Sequence, residues 1–121
     1  GNDPARFVEN SAMAENLTYA VDAPERAEID ALPGLTLIEF GTDWCGHCQT
    51  AQVAIEAALK SCPGITHLKF ADGPGRRLGR SFRVKLWPTL ILMRAGQELL
   101  RLVRPTNARD ILTALDPATK T

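Results

Sequence analysis

The sequence predicts an α/β domain, a mixed central sheet with helices on both faces, in the order βαβαβαββα. Three observations lead there. Strand-length apolar runs alternate with alanine-rich or charged helical stretches, which favours parallel strands joined by helical crossovers. The last two strands are separated only by the tight turn Ala95-Gly96-Gln97, which makes them an antiparallel hairpin. A chain of 121 residues, 45% of them hydrophobic, is the size of one domain and can fill one core.

Leu17-Thr18-Tyr19-Ala20-Val21 has strand composition and is expected to open the domain, residues 17–121, after an N-terminal extension over residues 1–16. Asp22 and Pro24 punctuate, and Pro24 to Glu28 starts a helix with proline in its first turn. Pro33-Gly34 breaks it. Leu35 to Phe40 is a near-continuous apolar run, the pattern of a buried central strand. Gly41 to Trp44 turn the chain. From Cys45 to about Lys60, Cys48, Ala51, Ile55, Ala58 and Leu59 recur at helical spacing, and the alanines let that helix lie close on a sheet. Cys62-Pro63-Gly64 ends it. Ile65 to Phe70 reads as a strand, Asp72 to Gly75 as a loop and Arg76 to Arg83 as a short helix. Pro88 to Arg94 and Glu98 to Val103 form the hairpin, and Asn107 caps a last helix running to about Leu115. No repeat, low-complexity tract or linker interrupts this order.

Charge balances at 14 basic and 14 acidic residues, but not locally. Residues 1–60 carry 10 acidic and 3 basic residues, and residues 61–121 carry 4 and 11. Packed into one domain, those halves give polarised faces. Arg76, Arg77, Arg80, Arg83 and Lys85 are the densest basic stretch, either a solvated helix face or a surface that steers an acidic partner. The neutral balance, with no aromatics but Phe82 among the arginines, argues against nucleic acid. No stretch approaches the roughly 20 apolar residues of a membrane span. The polar start, Gly1 to Asn10, has no signal-peptide core. A cytoplasmic monomer is expected, with the periplasm as the alternative if a signal peptide once preceded Gly1. Three cysteines are too few for a disulfide scaffold, so they serve chemistry or are incidental.

Cys45-Gly46-His47-Cys48, preceded by Asp43-Trp44, carries that chemistry. Two thiols two residues apart can close a small disulfide ring. Where the first stands at a strand-to-helix turn, the helix N-terminus stabilises its thiolate and lowers its pKa. Such a thiol beside a second one is a reversible two-electron switch. Leu37 to Cys48 resembles the active-site segment of the thioredoxin superfamily. Val84-Lys85-Leu86-Trp87-Pro88-Thr89-Leu90 is similar to that superfamily's cis-proline loop. The motifs lie about 40 residues apart in the correct element order, and the likeness runs from about Leu17 to Leu115.

The resemblance implies a thioredoxin fold and a role for each position. Cys45 is the exposed nucleophile that forms a mixed disulfide with substrate, and Cys48 the shielded thiol that resolves it. Trp44 packs beside the site. His47, with Gly46, makes the dipeptide of protein disulfide isomerases, and an imidazole there favours the Cys45 thiolate. Stabilising the reduced form makes the couple more oxidising, so a potential between about −270 and −180 mV is expected. Glu39, a charge in an apolar strand, takes the place of the buried acid that accepts the Cys48 proton; buried and unpaired, its pKa should rise. Trp87, Pro88 and Thr89 line the substrate groove, where Pro88 matches the cis-proline and Trp87 is larger than usual. Arg104 falls where a strand-end glycine is usual, and a cation there stabilises the Cys45 thiolate or selects acidic substrates. Val53 replaces a proline frequent in relatives, which favours a straighter helix.

The implied activity is thiol–disulfide exchange with protein substrates, recharged by an electron-donating reductase, with no cofactor beyond the Cys45–Cys48 pair. The alternatives are a redox-sensing or docking module of the same fold, or a soft-metal site on the same cysteines. A zinc site of Cys45, Cys48, Cys62 and His67 is opposed by geometry: Cys48 and Cys62 bracket a helix that separates them by about 21 Å. A c-type haem needs histidine after the second cysteine, where Gln49 stands.

Overall fold

The computed structural model describes residues 18–120; the extension expected over residues 1–16 lies outside the described residues, as does Leu17. In chain order the elements are α1 (Arg26–Asp30), β1 (Leu35–Gly41), α2 (Gly46–Lys60), β2 (Ile65–Ala71), α3 (Arg77–Ser81), β3 (Thr89–Arg94), β4 (Gln97–Val103) and α4 (Ala108–Thr119). No described helix is long and apolar enough to cross a membrane.

The sheet order is β2-β1-β3-β4. β1 pairs in parallel with β2, from Leu35 opposite Ile65 to Gly41 opposite Ala71, and antiparallel with β3. β3 and β4 form the hairpin. Successive residues of a strand face opposite sides. Ile38 and Phe40 therefore meet Ile29, Phe70 and Phe82 beneath α1 and α3. Leu37 meets Ala51, Ile55, Ile111 and Leu115 beneath α2 and α4. Helices thus cover both faces, and Glu39, with the parity of Leu37, points toward α2.

Two elements differ from the sequence expectation. The first strand is, among the described residues, a single parallel bridge from Ala20 to Phe70. The Ala20 N–H donates to the Lys69 carbonyl at 2.9 Å, and the Ala71 N–H to the Ala20 carbonyl at 2.8 Å. The Tyr19 N–H, on the side away from β2, donates to the Asp43 side chain at 3.0 Å. The last helix does not stop near Leu115 but continues through Pro117 to Thr119. A proline in a final turn removes only one backbone donor. Ala118 packs into the same cluster as Leu115, and its carbonyl accepts from Arg94 at 3.0 Å.

Candidate active site

β1 ends at Gly41 and the chain turns through Thr42, Asp43 and Trp44 into α2, with Cys45 as the N-cap. Cys45 is extended, and its Sγ accepts the Cys48 N–H at 3.3 Å. The positive end of the helix dipole thus points at that sulfur. Cys48 lies one turn inward. Cys45 is 8% exposed and Cys48 1%, so the outer thiol is more covered than the sequence reading expects, because Tyr19 and Trp87 pack around the pair. Burial, with the Cys45 sulfur beside it, pushes the Cys48 thiol up to about 11; the Thr42 backbone and the Tyr19 hydroxyl oppose this less strongly. Cys48 therefore holds its proton at neutral pH. Gly41 makes room here: a Cβ on it would stand 2.5 Å from Cys48 Sγ and 2.8 Å from Tyr19 Oη.

Behind Cys48 lies a buried polar cluster. Glu39 is fully buried but not unpaired. Its Oε1 lies 2.9 Å from His67 Nε2, and its Oε2 accepts from Gln52 Nε2 at 2.7 Å and from the Tyr19 hydroxyl in a short hydrogen bond. Lys69 donates to Gln52 Oε1 at 2.9 Å, and its Nζ sits 4.5 Å from the Tyr19 ring centroid. The expected rise in the Glu39 pKa is therefore corrected. Burial alone pushes its carboxyl up, but His67, Tyr19 and Lys69 outweigh burial and hold it below the usual carboxylate value. Glu39 is ionised, the state a proton acceptor needs. Burial and the Glu39 charge push the Tyr19 hydroxyl far above the ordinary phenol range.

Tyr19, Gln52, His67 and Lys69 escape a reading of the sequence for this chemistry. Gln52 was findable as the residue one helical turn beyond Cys48. His67 and Lys69 alternate with apolar Leu68 and Phe70, and β1–β2 pairing sets Lys69 opposite Glu39. His67 holds Glu39, while Cys62 lies beyond the far end of α2, so the four zinc candidates are split across that helix.

The rim is aromatic and cationic. Trp44 is 75% exposed and meets Trp87 edge-on, with centroids 5.8 Å apart at 81°. Trp87 Nε1 donates to Asp72 at 2.9 Å. The Trp87–Pro88 peptide bond is cis. Thr89 is buried and its hydroxyl donates to the Leu86 carbonyl at 2.6 Å, so it braces the loop rather than offering the hydroxyl to the groove. Arg104 adopts a left-handed φ of 52°, and its Nε donates to the Trp87 carbonyl at 2.8 Å. Arg104, Pro105, Gly46 and His47 line a cleft of about 350 Å³ beside the pair. Gly46 is open, with no heavy atom within 4 Å of where its Cβ would be. On the other side of Trp87, Arg76, Arg80, Arg83 and Lys85 line a second cleft of about 370 Å³.

Residues 17–117 match the family model described as thioredoxin. The solved structure of reduced thioredoxin 2 from Pseudomonas aeruginosa PAO1 is 51% identical with a TM-score of 0.77, covering 85% of this chain and 95% of that one. The thioredoxin of Chlamydia muridarum is 37% identical over 70 residues, 58% of this chain and 69% of that protein. Protein disulfide-isomerase A3 of Gallus gallus is 32% identical over 106 residues, 87% of this chain but only 21% of that longer protein.

Proposed function

Since the chain belongs to the thioredoxin family and is a thiol–disulfide oxidoreductase of the Cys45/Cys48 dithiol type, we propose that it reduces disulfides in protein substrates, with Cys45 attacking and Cys48 resolving. The carrying observation is the asymmetry of the pair. Cys45 Sγ takes an N–H from the helix N-terminus at the outer position, and Cys48, further in, keeps its proton until the first bond has formed. In the first half-reaction the Cys45 thiolate attacks a substrate disulfide, one substrate sulfur leaves as thiolate, and a mixed disulfide results. In the second, Cys48 loses its proton to Glu39 and attacks Cys45, which releases the other substrate thiolate and closes the Cys45–Cys48 disulfide. Two electrons pass to substrate and are returned by an electron-donating reductase, so the dithiol itself is the only redox group the cycle requires.

Trp44, Trp87 and Pro88 form the apolar side of the groove, and Arg104, beside the polar His47, its cationic side; this supports substrates that present an apolar residue and an acidic one beside the target cysteine. A substrate strand that pairs with the Trp87 carbonyl meets the Arg104 guanidinium already bonded to it. A cytoplasmic monomer is the proposed setting, since three cysteines are too few for a disulfide scaffold. Cys48→Ser tests the reading: it should leave protein partners linked through Cys45, released by dithiothreitol and absent when Cys45 is also replaced. Recovery of no disulfide-linked protein would refute substrate reduction.

A further inference from the structure

Cys48 must lose a proton in order to resolve, and Glu39, the acceptor, is bonded not to its sulfur but to the neighbouring Tyr19 hydroxyl. What lies between them is the Tyr19 hydroxyl. Its hydrogen points at Glu39 Oε2. A phenol oxygen can accept as well as donate. One acceptor position takes the Gln52 amide at 3.3 Å, and Cys48 Sγ is a neighbour of the hydroxyl: the two atoms stand 2.5 and 2.8 Å from where a Cβ on Gly41 would be. Gly41, lacking a Cβ, allows sulfur and phenol to close over it. We propose that the Tyr19 hydroxyl is the proton relay from the Cys48 thiol to the Glu39 carboxylate, a proposal that rests on the reading of Glu39 as acceptor.

The step balances. As Cys48 Sγ attacks Cys45 Sγ, the Cys48 proton passes to Tyr19 Oη and the Tyr19 proton passes to Glu39 Oε2. The Cys45–Cys48 bond forms, the bond from Cys45 to the substrate sulfur breaks, and its electron pair leaves on the substrate thiolate. Tyr19 ends as it began, a neutral phenol, and Glu39 ends protonated. Tyrosinate is never populated, because burial beside the Glu39 charge opposes it. The mixed disulfide also prepares the transfer: once Cys45 is bonded to substrate, its hydrogen bond and its charge no longer hold the proton on Cys48. The other titratable groups on the cluster are His67 and Lys69 from β2, with Asp43 on the Tyr19 backbone N–H.

The test is stopped-flow reaction with sub-stoichiometric dithiobis(nitrobenzoate), in a Cys62→Ala background so that only the pair reports. The first released thiolate reads the Cys45 attack and the second reads resolution by Cys48. Tyr19→Phe keeps the ring and loses the relay atom. It should leave the first phase unchanged and slow the second by on the order of 10²-fold at neutral pH. The deficit should shrink as pH rises and hydroxide removes the Cys48 proton. Glu39→Gln should give a similar deficit, and the double variant should be no slower than the slower single one. A wild-type second phase in Tyr19→Phe, with Glu39→Gln slow, would overturn the relay and leave Glu39 as acceptor. Wild-type second phases in both would overturn both. Equal slowing of both phases in Tyr19→Phe would reduce Tyr19 to a packing role and overturn the relay. If Tyr19→Phe does not fold, the Cys62→Ala protein with Tyr19 intact still decides: two protons in flight give a curved dependence of the second phase on deuterium fraction, and a straight line refutes the relay.

Discussion

At Glu39, desolvation alone would favour the neutral acid, yet the carboxyl is lowered because His67, Tyr19 and Lys69 together exceed that cost. The sign fixes a pH dependence. The native carboxyl titrates below its unfolded value of 4.5, so the unfolded chain binds more protons in that range. Its contribution to stability is complete above about pH 4.5 and is lost as pH falls through the native value. Urea unfolding midpoints followed from neutral pH down to about pH 3 should show a shallower acid loss in Glu39→Gln than in the unsubstituted protein; parallel losses would refute the assignment. The two thiols and Glu39 were legible in the sequence because their spacing is local: a pair at i, i+3 and an acid six residues upstream on the same strand. The environment of Glu39 was not, and neither was the sign of its shift. Tyr19, Gln52 and His67 reach it through the Ala20 bridge, the register of α2 and the pairing of β1 with β2. Those are tertiary outcomes with no short-range signature.

Among the elements, the β3–β4 hairpin shows how a weak local choice survives. Ala95 and Gly96 both have positive φ, 50° and 79°, the conformation of a two-residue turn whose twist suits the flanking strands. Glycine adopts it freely, whereas alanine places a Cβ where left-handed backbone costs about 1–2 kcal/mol. Asparagine is the favoured first residue of such a turn. Ala95→Asn should therefore stabilise the protein by about 0.5–1 kcal/mol without touching the dithiol, as read by the thermal midpoint at unchanged activity. A lower midpoint would contradict the turn assignment. Element order was legible because buried strands and the amphipathic α2 have different periods. Two limits slipped: the first strand keeps only the Ala20 bridge, and the Ala118 contact carries α4 past Pro117. A proline in the sequence argues for a stop, and only the packing shows that the last turn holds.

For the whole molecule, the uneven charge of the two halves resolves into a site with a cationic flank. Arg80, Arg83 and Lys85 border the cleft on the α3 side of Trp87. Such a surface raises encounter rates with acidic partners, and salt screens it over a Debye length of about 10 Å at 0.1 M. The second-order rate of reducing an acidic disulfide protein should fall as salt rises, and Arg80→Glu with Arg83→Glu should flatten that dependence while leaving small disulfides unaffected. Identical salt slopes would remove this flank from substrate capture. The aromatic rim has a different consequence. The chain has only two tryptophans, and both stand at the rim, ring against ring, with Trp87 packed against the cysteine cluster. Every photon of indole emission from this protein therefore originates beside its sulfur chemistry. A disulfide quenches a nearby excited indole where a dithiol does so less, so the molecule carries its own optical gauge, and a fluorimeter can follow each turnover without a label.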